Sequence, residues 1–295
     1  MPRGIGLVLL DYDQAATTLR CLRSVAAGTR RPDEIVLVEN GGPPVDLASD
    51  EVLADLVVHV LRPERNIGAA SARNLGFNYL VRNSDVERYV LLDNDTTVPG
   101  GFFELVAASS FEPLEIAAPL ILSMDTGEVI YAGGRFDRYR YPSVIPEWPG
   151  GSTAPREVEW APTAGLVFDR DTWLHVGGFD DWYGFSWEDI EWCDRAVRMG
   201  AVVWVEPQLR VIHEAHQSSG GAFSPERLRQ WSRNGTVFIF ETAGWRSRLN
   251  WFSMEFRLIW GELRAGWRPS AVGRVRGLGQ GLMGVWQRKR DRAAR

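Results

Sequence analysis

Lysine is nearly absent: Lys289 is the only one in the chain. Cysteine is scarce too, with only Cys21 and Cys193. Their separation fits neither a zinc site nor a redox pair, so both are expected as buried free thiols in apolar helical stretches. Long hydrophobic runs are missing, and nothing approaches the ~18 apolar residues of a membrane span. The apolar segment Ile5–Leu10 is too short for a signal core and lacks a small-residue cleavage site. A cytoplasmic location is expected, with the inner face of a membrane as the alternative. With 45% hydrophobic and 24% charged residues, the composition is globular and excludes general disorder. The 295 residues suffice for one large α/β domain and an appendage, set as residues 1–240 and 241–295.

What charge there is lies unevenly. Residues 246–295 hold twelve Arg or Lys against three Asp or Glu, a balance of +9, so the net −5 leaves −14 on residues 1–245. A basic tail on an acidic body argues against a general nucleic-acid binder. That tail carries Trp245, Trp251, Trp260, Trp267 and Trp286, together with Leu249, Phe252, Phe256, Ile259 and Leu263 at alternating spacings of three and four. Two readings fit: a helical extension packed on the body or on a second subunit as a homodimer, or peripheral contact with an anionic membrane.

Short β-like runs alternate with helical patterns in the first half. Strands are expected at Gly6–Leu10, Glu34–Glu39, Leu56–Leu61 and Tyr89–Leu92, and helices at Ala15–Ala27 and Ala69–Val81. This alternation implies a doubly wound, mostly parallel sheet with helices on both faces, whose ligands bind beyond the carboxyl ends of the strands. Asp11, Glu39 and Asp93 fall at three such ends. Residues 112–187 are less periodic and read as short strands and long loops around a pocket. Glu188–Met199 reads as a helix and Val202–Val205 as a strand.

Four groups can carry chemistry. Leu91-Leu92-Asp93-Asn94-Asp95 ends an apolar strand in two carboxylates suited to Mg²⁺ or Mn²⁺, although a turn uses the same letters. Asn66-Ile67-Gly68-Ala69-Ala70-Ser71-Ala72-Arg73-Asn74-Leu75-Gly76 leads a glycine loop into a helix with an early arginine. That combination favours phosphate, and an ordinary loop with a surface arginine reads alike. Trp187-Glu188-Asp189 offers carboxylates at a helix start. There Asp189 can be a general base, or it can close a capping box with Ser186. His213 follows a strand-like run, either as a structural histidine or as a metal ligand beside Asp95.

In this order the groups resemble the inverting family 2 glycosyltransferases, particularly the bacterial rhamnosyltransferase-like members, from about Gly6 to His213. Val8–Asp13 is similar to the family's opening strand, Val36–Gly41 to its second turn, and Asn66–Gly76 to its Asn-x-Gly-x-x-x-Ala-Arg-Asn-x-Gly motif. Asp93 and Asp95 match its metal motif. Gly177-Gly178-Phe179-Asp180 with Glu188-Asp189 match its acceptor loop and base, and His213 matches its late histidine. The resemblance implies a GT-A type, Rossmann-like fold with a C-terminal helical extension. The implied activity is transfer of a sugar, with inversion, from a nucleoside-diphosphate sugar to a hydroxyl acceptor, assisted by Mn²⁺ or Mg²⁺. It places Asp11, Tyr12, Glu39, Asn66, Gly68, Arg73, Asp93 and Asn94 at the donor, with Arg73 near the diphosphate or sugar. Gly178, Phe179, Asp180 and Trp187 fall at the acceptor, Asp95 and His213 on the metal, and Asp189 acts as base with Glu188 as its alternate. Asp11 and Asp13 replace the usual Asn residues, Glu39 replaces an Asp, and Gly41-Gly42-Pro43 replaces Gly-Ser-Thr. These departures bear on the nucleotide rather than on the fold. Two other classes share parts of the pattern. A sugar nucleotidyltransferase usually needs a glycine-rich loop with Arg and Lys near the N-terminus, which is missing. A non-catalytic glycan-binding relative would not need Asp93, Asp95, Glu188 and Asp189 intact.

Overall fold

The computed structural model describes residues 4–110, 112–136, 148, 152–214 and 224–294. The chain divides into two compact units. The first holds the described residues up to Arg135, Trp148 to Gly184, and Glu188 to Glu214. The second holds Phe136, residues 185–187, and the described residues from Ser224 onward. The helix after Pro225, placed by sequence at the end of the catalytic domain, thus groups with the extension.

In the first unit the elements run β1 (Ile5–Asp11), α1 (Ala15–Ala26), β2 (Glu34–Glu39), β3 (Val58–Leu61), α2 (Ala69–Asn83), β4 (Arg88–Asp93), β5 (Thr96–Thr97) and α3 (Phe102–Ala108). They continue with β6 (Glu115–Ser123), β7 (Val129–Tyr131), β8 (Arg156–Val158), β9 (Gly165–Asp169), α4 (Arg170–Val176), α5 (Glu188–Arg198) and β10 (Val202–His213). The sheet order is β3-β2-β1-β4-β9-β6-β10-β5, with β7 on β6 and β8 on β10. Strands β1 to β4 pair in parallel, as do β6 and β10, while β9 runs antiparallel between β4 and β6. The expected mostly parallel α/β sheet is therefore present.

Why β1 and β2 read as unbroken apolar runs is visible in their packing. Successive side chains point to opposite faces. Leu7, Leu9, Ile35 and Leu37 join Cys21, Leu22, Phe102 and Phe103 from α1 and α3 in one core. Val8 and Val38 face α2 instead, where a Cβ on Gly76 would lie 2.6 Å from Val8 and 3.4 Å from Val38. Helices on both faces leave no wet side, so no polar alternation survives. Both cysteines are buried free thiols, as expected, and burial pushes each up to about 12.

The second unit contains α6 (Pro225–Thr242), α7 (Trp245–Arg264) and α8 (Arg268–Ala293). Helix α6 opens with Ser224 as its cap, accepting from Arg227 N, and Pro225 in its first turn. Glycines four apart bring α8 directly onto α6: a Cβ on Gly273, Gly277 or Gly281 would lie 2.3, 2.2 or 2.7 Å from the carbonyl oxygens of Pro225, Arg229 or Arg233. Between α7 and α8, buried Arg274 pairs with Glu255 and Glu262, and Glu255 also accepts from Ser232. Of the expected stripe, Phe252 and Ile259 are half-buried, with Phe252 against Phe240. Leu249, Phe256 and Leu263 are exposed, and the buried face of α7 is Ser247, Trp251, Glu255 and Glu262. Among the described residues no helix is long and apolar enough to cross a membrane.

Candidate functional site

The carboxyl ends of β1, β2 and β4 lie side by side, with Asp11 opposite Glu39 and Leu10 opposite Asp93. Asp11 is fully buried and accepts from the Thr18 hydroxyl and from Asn94 Nδ2, which also donates to Thr18 (3.0 Å). Desolvation raises the Asp11 carboxyl above its usual range, against the lowering effect of Thr18. Asp11 and Asn94 thus tie the ends of β1 and β4 to α1 rather than facing solvent. Glu39, also buried, accepts from Val45 N at 2.9 Å and pairs with Arg62. Tyr12 is exposed beside the Gly41 turn.

The Asn66–Gly76 segment resolves into separate tasks. Asn66 Oδ1 accepts from Gly68 N (2.8 Å) and Asn40 Nδ2 (3.1 Å), and Asn40 Oδ1 accepts from Ile67 N (2.9 Å). Gly68 has φ +84 and sits where a Cβ would lie 3.1 Å from Gly184 Cα. Ala70 N donates to the Gly184 carbonyl (2.9 Å), so part of the α2 N-terminus expected to meet phosphate is already occupied. Arg73, expected near the diphosphate or sugar, makes its contacts with protein carboxylates. It is buried, with Nη1 donating to Glu188 Oε1 (2.6 Å) and Nη2 to Asp93 Oδ1 (2.9 Å). Desolvation opposes its charge, but Asp93 and Glu188 outweigh that and raise its pKa. With both arms committed to protein carboxylates, Arg73 is a bridge. Asn74 then grips the next loop, accepting from Phe179 N and donating to Phe179 O and Asp181 Oδ1, all at 2.8 Å.

Asp93, Asp95 and His213 come together. One ligand atom from each lies within 4.8 Å of the others. Strand β5 makes this happen: Thr96 pairs with His213 at the end of β10, and Glu214 N donates to the Asp95 carbonyl (2.9 Å). His213 Nε2 is 3.1 Å from Asp95 Oδ1, and among the described residues its buried Nδ1 has no hydrogen-bond partner. Burial disfavours the charged imidazole, yet the bond and charge of Asp95 outweigh it and raise the pKa. Two carboxylates and an imidazole at this spacing suit Mn²⁺ or Mg²⁺, and the residues present fit such an ion.

Glu188 and Asp189 open α5. The expected capping box with Ser186 is replaced. Ser186 and Trp187 both have left-handed backbones (φ +71 and +70), and Asp189 Oδ1 accepts from Ile190 N at 2.8 Å. Desolvation and the adjacent Glu188 charge push Asp189 up to about 7, against the lowering effects of the Ile190 bond and Arg73. In the expected acceptor loop, Gly178 O accepts from Arg195 (2.6 Å) and Asp180 Oδ1 from Trp182 N (3.0 Å). Phe179 is buried against Trp173 and Trp192, so it supports the loop from beneath. Trp187 is buried in the second unit against Trp231, Phe238 and Trp251. Thr18, Asn40 and Asn74 were not singled out from sequence. Only the polar letters inside Asn40-Gly41 and Arg73-Asn74 pointed to two of them.

The family model described as Glycosyl transferase family 2 matches residues 9–155. A pre-mycofactocin glycosyltransferase of Mycobacterium tuberculosis is 27% identical over 76% of this chain and 44% of its own. The chain therefore spans under half the length of that relative. An N-acetylglucosaminyl-diphospho-decaprenol L-rhamnosyltransferase of the same organism is 26% identical over 83% of this chain and 87% of its own. Among solved structures, GalNAc-T7 with UDP, GalNAc and Mn²⁺ superposes with a TM-score of 0.62 at 22% identity, covering 80% of this chain and 48% of that one. That likeness establishes the GT-A type fold.

Proposed function

We infer that this chain, whose residues 9–155 match the model of glycosyl transferase family 2 and which is similar to the two relatives above, transfers a sugar from a nucleoside-diphosphate donor to a hydroxyl acceptor, with inversion at the anomeric carbon. One observation carries the reading: Asp93, at the candidate metal group, and Glu188, beside the candidate base, are joined by the single guanidinium of Arg73. Donor and acceptor chemistry are thereby held in one rigid set of side chains. Tyr12 offers an exposed ring for the base, and Asn66, Gly68 and Asn40 hold the loop beside it. A divalent cation on Asp93, Asp95 and His213 would offset the charge of the departing diphosphate. Asp189 takes the acceptor proton as its oxygen attacks the anomeric carbon, and the carbon–oxygen bond to the diphosphate breaks on the opposite side. A carboxylate whose pKa lies near neutrality is a competent base there. Arg73 positions Asp93 and Glu188 without touching substrate.

The decaprenyl-linked acceptor in one relative's name supports a lipid-linked or glycan hydroxyl acceptor, met on the cytoplasmic side where activated sugars are made. The test is a panel of nucleoside-diphosphate sugars scored for nucleotide release with and without Mn²⁺. Asp189→Asn should bind the active donor normally yet lose transfer by about 10²–10⁴-fold. Full turnover in that variant would remove Asp189 as base.

A further inference from the structure

One helix of the second unit carries its polarity inside out. Helix α7 buries Ser247, Glu255 and Glu262 beside Trp251, while its apolar stripe is exposed: Trp245 65%, Leu249 60%, Phe256 68%, Trp260 55% and Leu263 44%. Spacings of four, seven, four and three put these five on one face. An exposed arginine follows three of them directly, Arg246, Arg257 and Arg264, which places a cationic flank along the stripe. Helix α8 repeats the pattern. The face turned away from its glycine contacts exposes Val272, Val275, Leu282, Met283 and Trp286, with Arg276 and Arg290 exposed beside them.

Charge decides what covers these faces. Of the three acids in residues 246–295, Glu255 and Glu262 are buried on Arg274, and Asp291 is the one left exposed. The surface formed by α7 and α8 is therefore almost wholly cationic where it is charged. Two copies meeting through it would oppose arginine to arginine, whereas an anionic lipid surface offers both phosphate for the arginines and acyl chains for the stripe. Arg246 lies 5.3 Å from the Trp245 ring and Arg290 4.6 Å from Trp286. Such pairs have an apolar body and a charged tip, suited to the headgroup boundary. We propose that the outer faces of α7 and α8 dock on an anionic bilayer, as a peripheral contact without insertion across it. This holds independently of the reaction assigned to the first unit.

The test floats the full chain on vesicles of phosphatidylcholine alone and of phosphatidylcholine mixed with phosphatidylglycerol. Flotation is expected only with phosphatidylglycerol, falling as salt rises. Arg246→Glu, Arg257→Glu and Arg264→Glu combined should lower binding on the order of a hundred-fold or more, at about five-fold per cation removed. Phe256→Glu with Trp260→Glu should abolish binding at unchanged circular dichroism; both sites are exposed, so folding is not at stake. The proposal is overturned by no flotation, by equal flotation on both vesicle types, or by a concentration-dependent dimer that Phe256→Glu disrupts while the wild type ignores lipid. Nucleic acid displacing the protein from vesicles without apolar variants affecting either partner would likewise overturn it.

Discussion

Replacing Arg73 with methionine isolates the link between the two halves of the site. Methionine keeps much of the length and apolar bulk of the arginine stem but removes the charge. In the wild type one buried guanidinium faces Asp93 at 2.9 Å and Glu188 at 2.6 Å. Without it, two carboxylates lose their partner and Glu188 is left buried with no cation. Breaking a buried pair from one side costs about 3–5 kcal/mol. For a unit of this size that corresponds to a melting temperature lower by roughly 6–20 °C. The second effect is on titration. Desolvation and Glu188 already hold Asp189 near 7, and Arg73 works against them. Losing Arg73 raises that value further. With Asp189 as the proposed base, the sign follows: it must be deprotonated to act, so the acid limb of the rate profile is expected near 7 and moves to higher pH in the variant. For stability the order reverses. A carboxyl raised in the folded state favours folding fully below its ordinary value of 3.8, and that contribution is lost as pH rises to about 7. Arg73→Met should therefore lose more stability at pH 8 than at pH 4. Arg73→Lys should recover part of the charge effect but not the two-armed geometry. Differential scanning fluorimetry and kcat/KM across pH measure both. A variant with unchanged melting and an unmoved acid limb would refute the bridge.

Further outcomes follow from other contacts. Asp95→Ala should lose Mn²⁺-dependent nucleotide affinity by calorimetry; equal affinity with Mn²⁺ would exclude Asp95 as a ligand. Asn74→Ala removes three bonds of 2.8 Å from the loop after α4 and should cost about 1–3 kcal/mol of stability, read by denaturant titration. Gly277→Val forces a side chain to within 2.2 Å of the Arg229 carbonyl. It should destabilise the second unit by about 1–3 kcal/mol or more, seen as proteolysis within residues 224–294 that spares the first unit.

Sequence periodicity found the elements whose burial is one-sided in the right way. Helices α1, α2 and α5 and strands β1, β2 and β4 fall within a residue or two of their expected limits, because each apolar run maps onto a helix-covered sheet. It read β10 in two pieces, Val202–Val205 and the strand-like run before His213, where the structure has one strand containing Pro207. The strand absorbs that proline as a register shift between Glu206 and Arg210. Strands β6 and β9 fall in the segment 112–187, read as short strands and long loops without limits, since the antiparallel insertion of β9 between β4 and β6 has no local signature. In the tail the period was legible but the direction was not. Spacing assigns residues to a face and says nothing of what that face meets. The same limit applied at the site: Asp95 and His213 could be paired by their chemistry, but Arg73 and Glu188 lie 115 residues apart and their contact is tertiary.

The Asn66–Gly76 motif shows why a run of letters can be specific without any one letter touching substrate. Asn66 closes a turn on Asn40, and Gly68 reaches a backbone conformation beside Gly184 that a side chain would crowd. Ala70 and Ala72 are buried where α2 meets the sheet, and Gly76 lets the helix approach Val8. Once the helix is that close and at that rotation, residues 73 and 74 have fixed directions. One points beneath the end of β4 toward α5, the other toward the loop at Phe179. The small residues set the distance, and the two polar residues use it. Enlarging Gly76 should therefore disturb the Arg73 bridge and move the acid limb in the same direction as mutating Arg73, because a Cβ there would lie 2.6 Å from Val8 and push away the helix that carries Arg73 to both carboxylates.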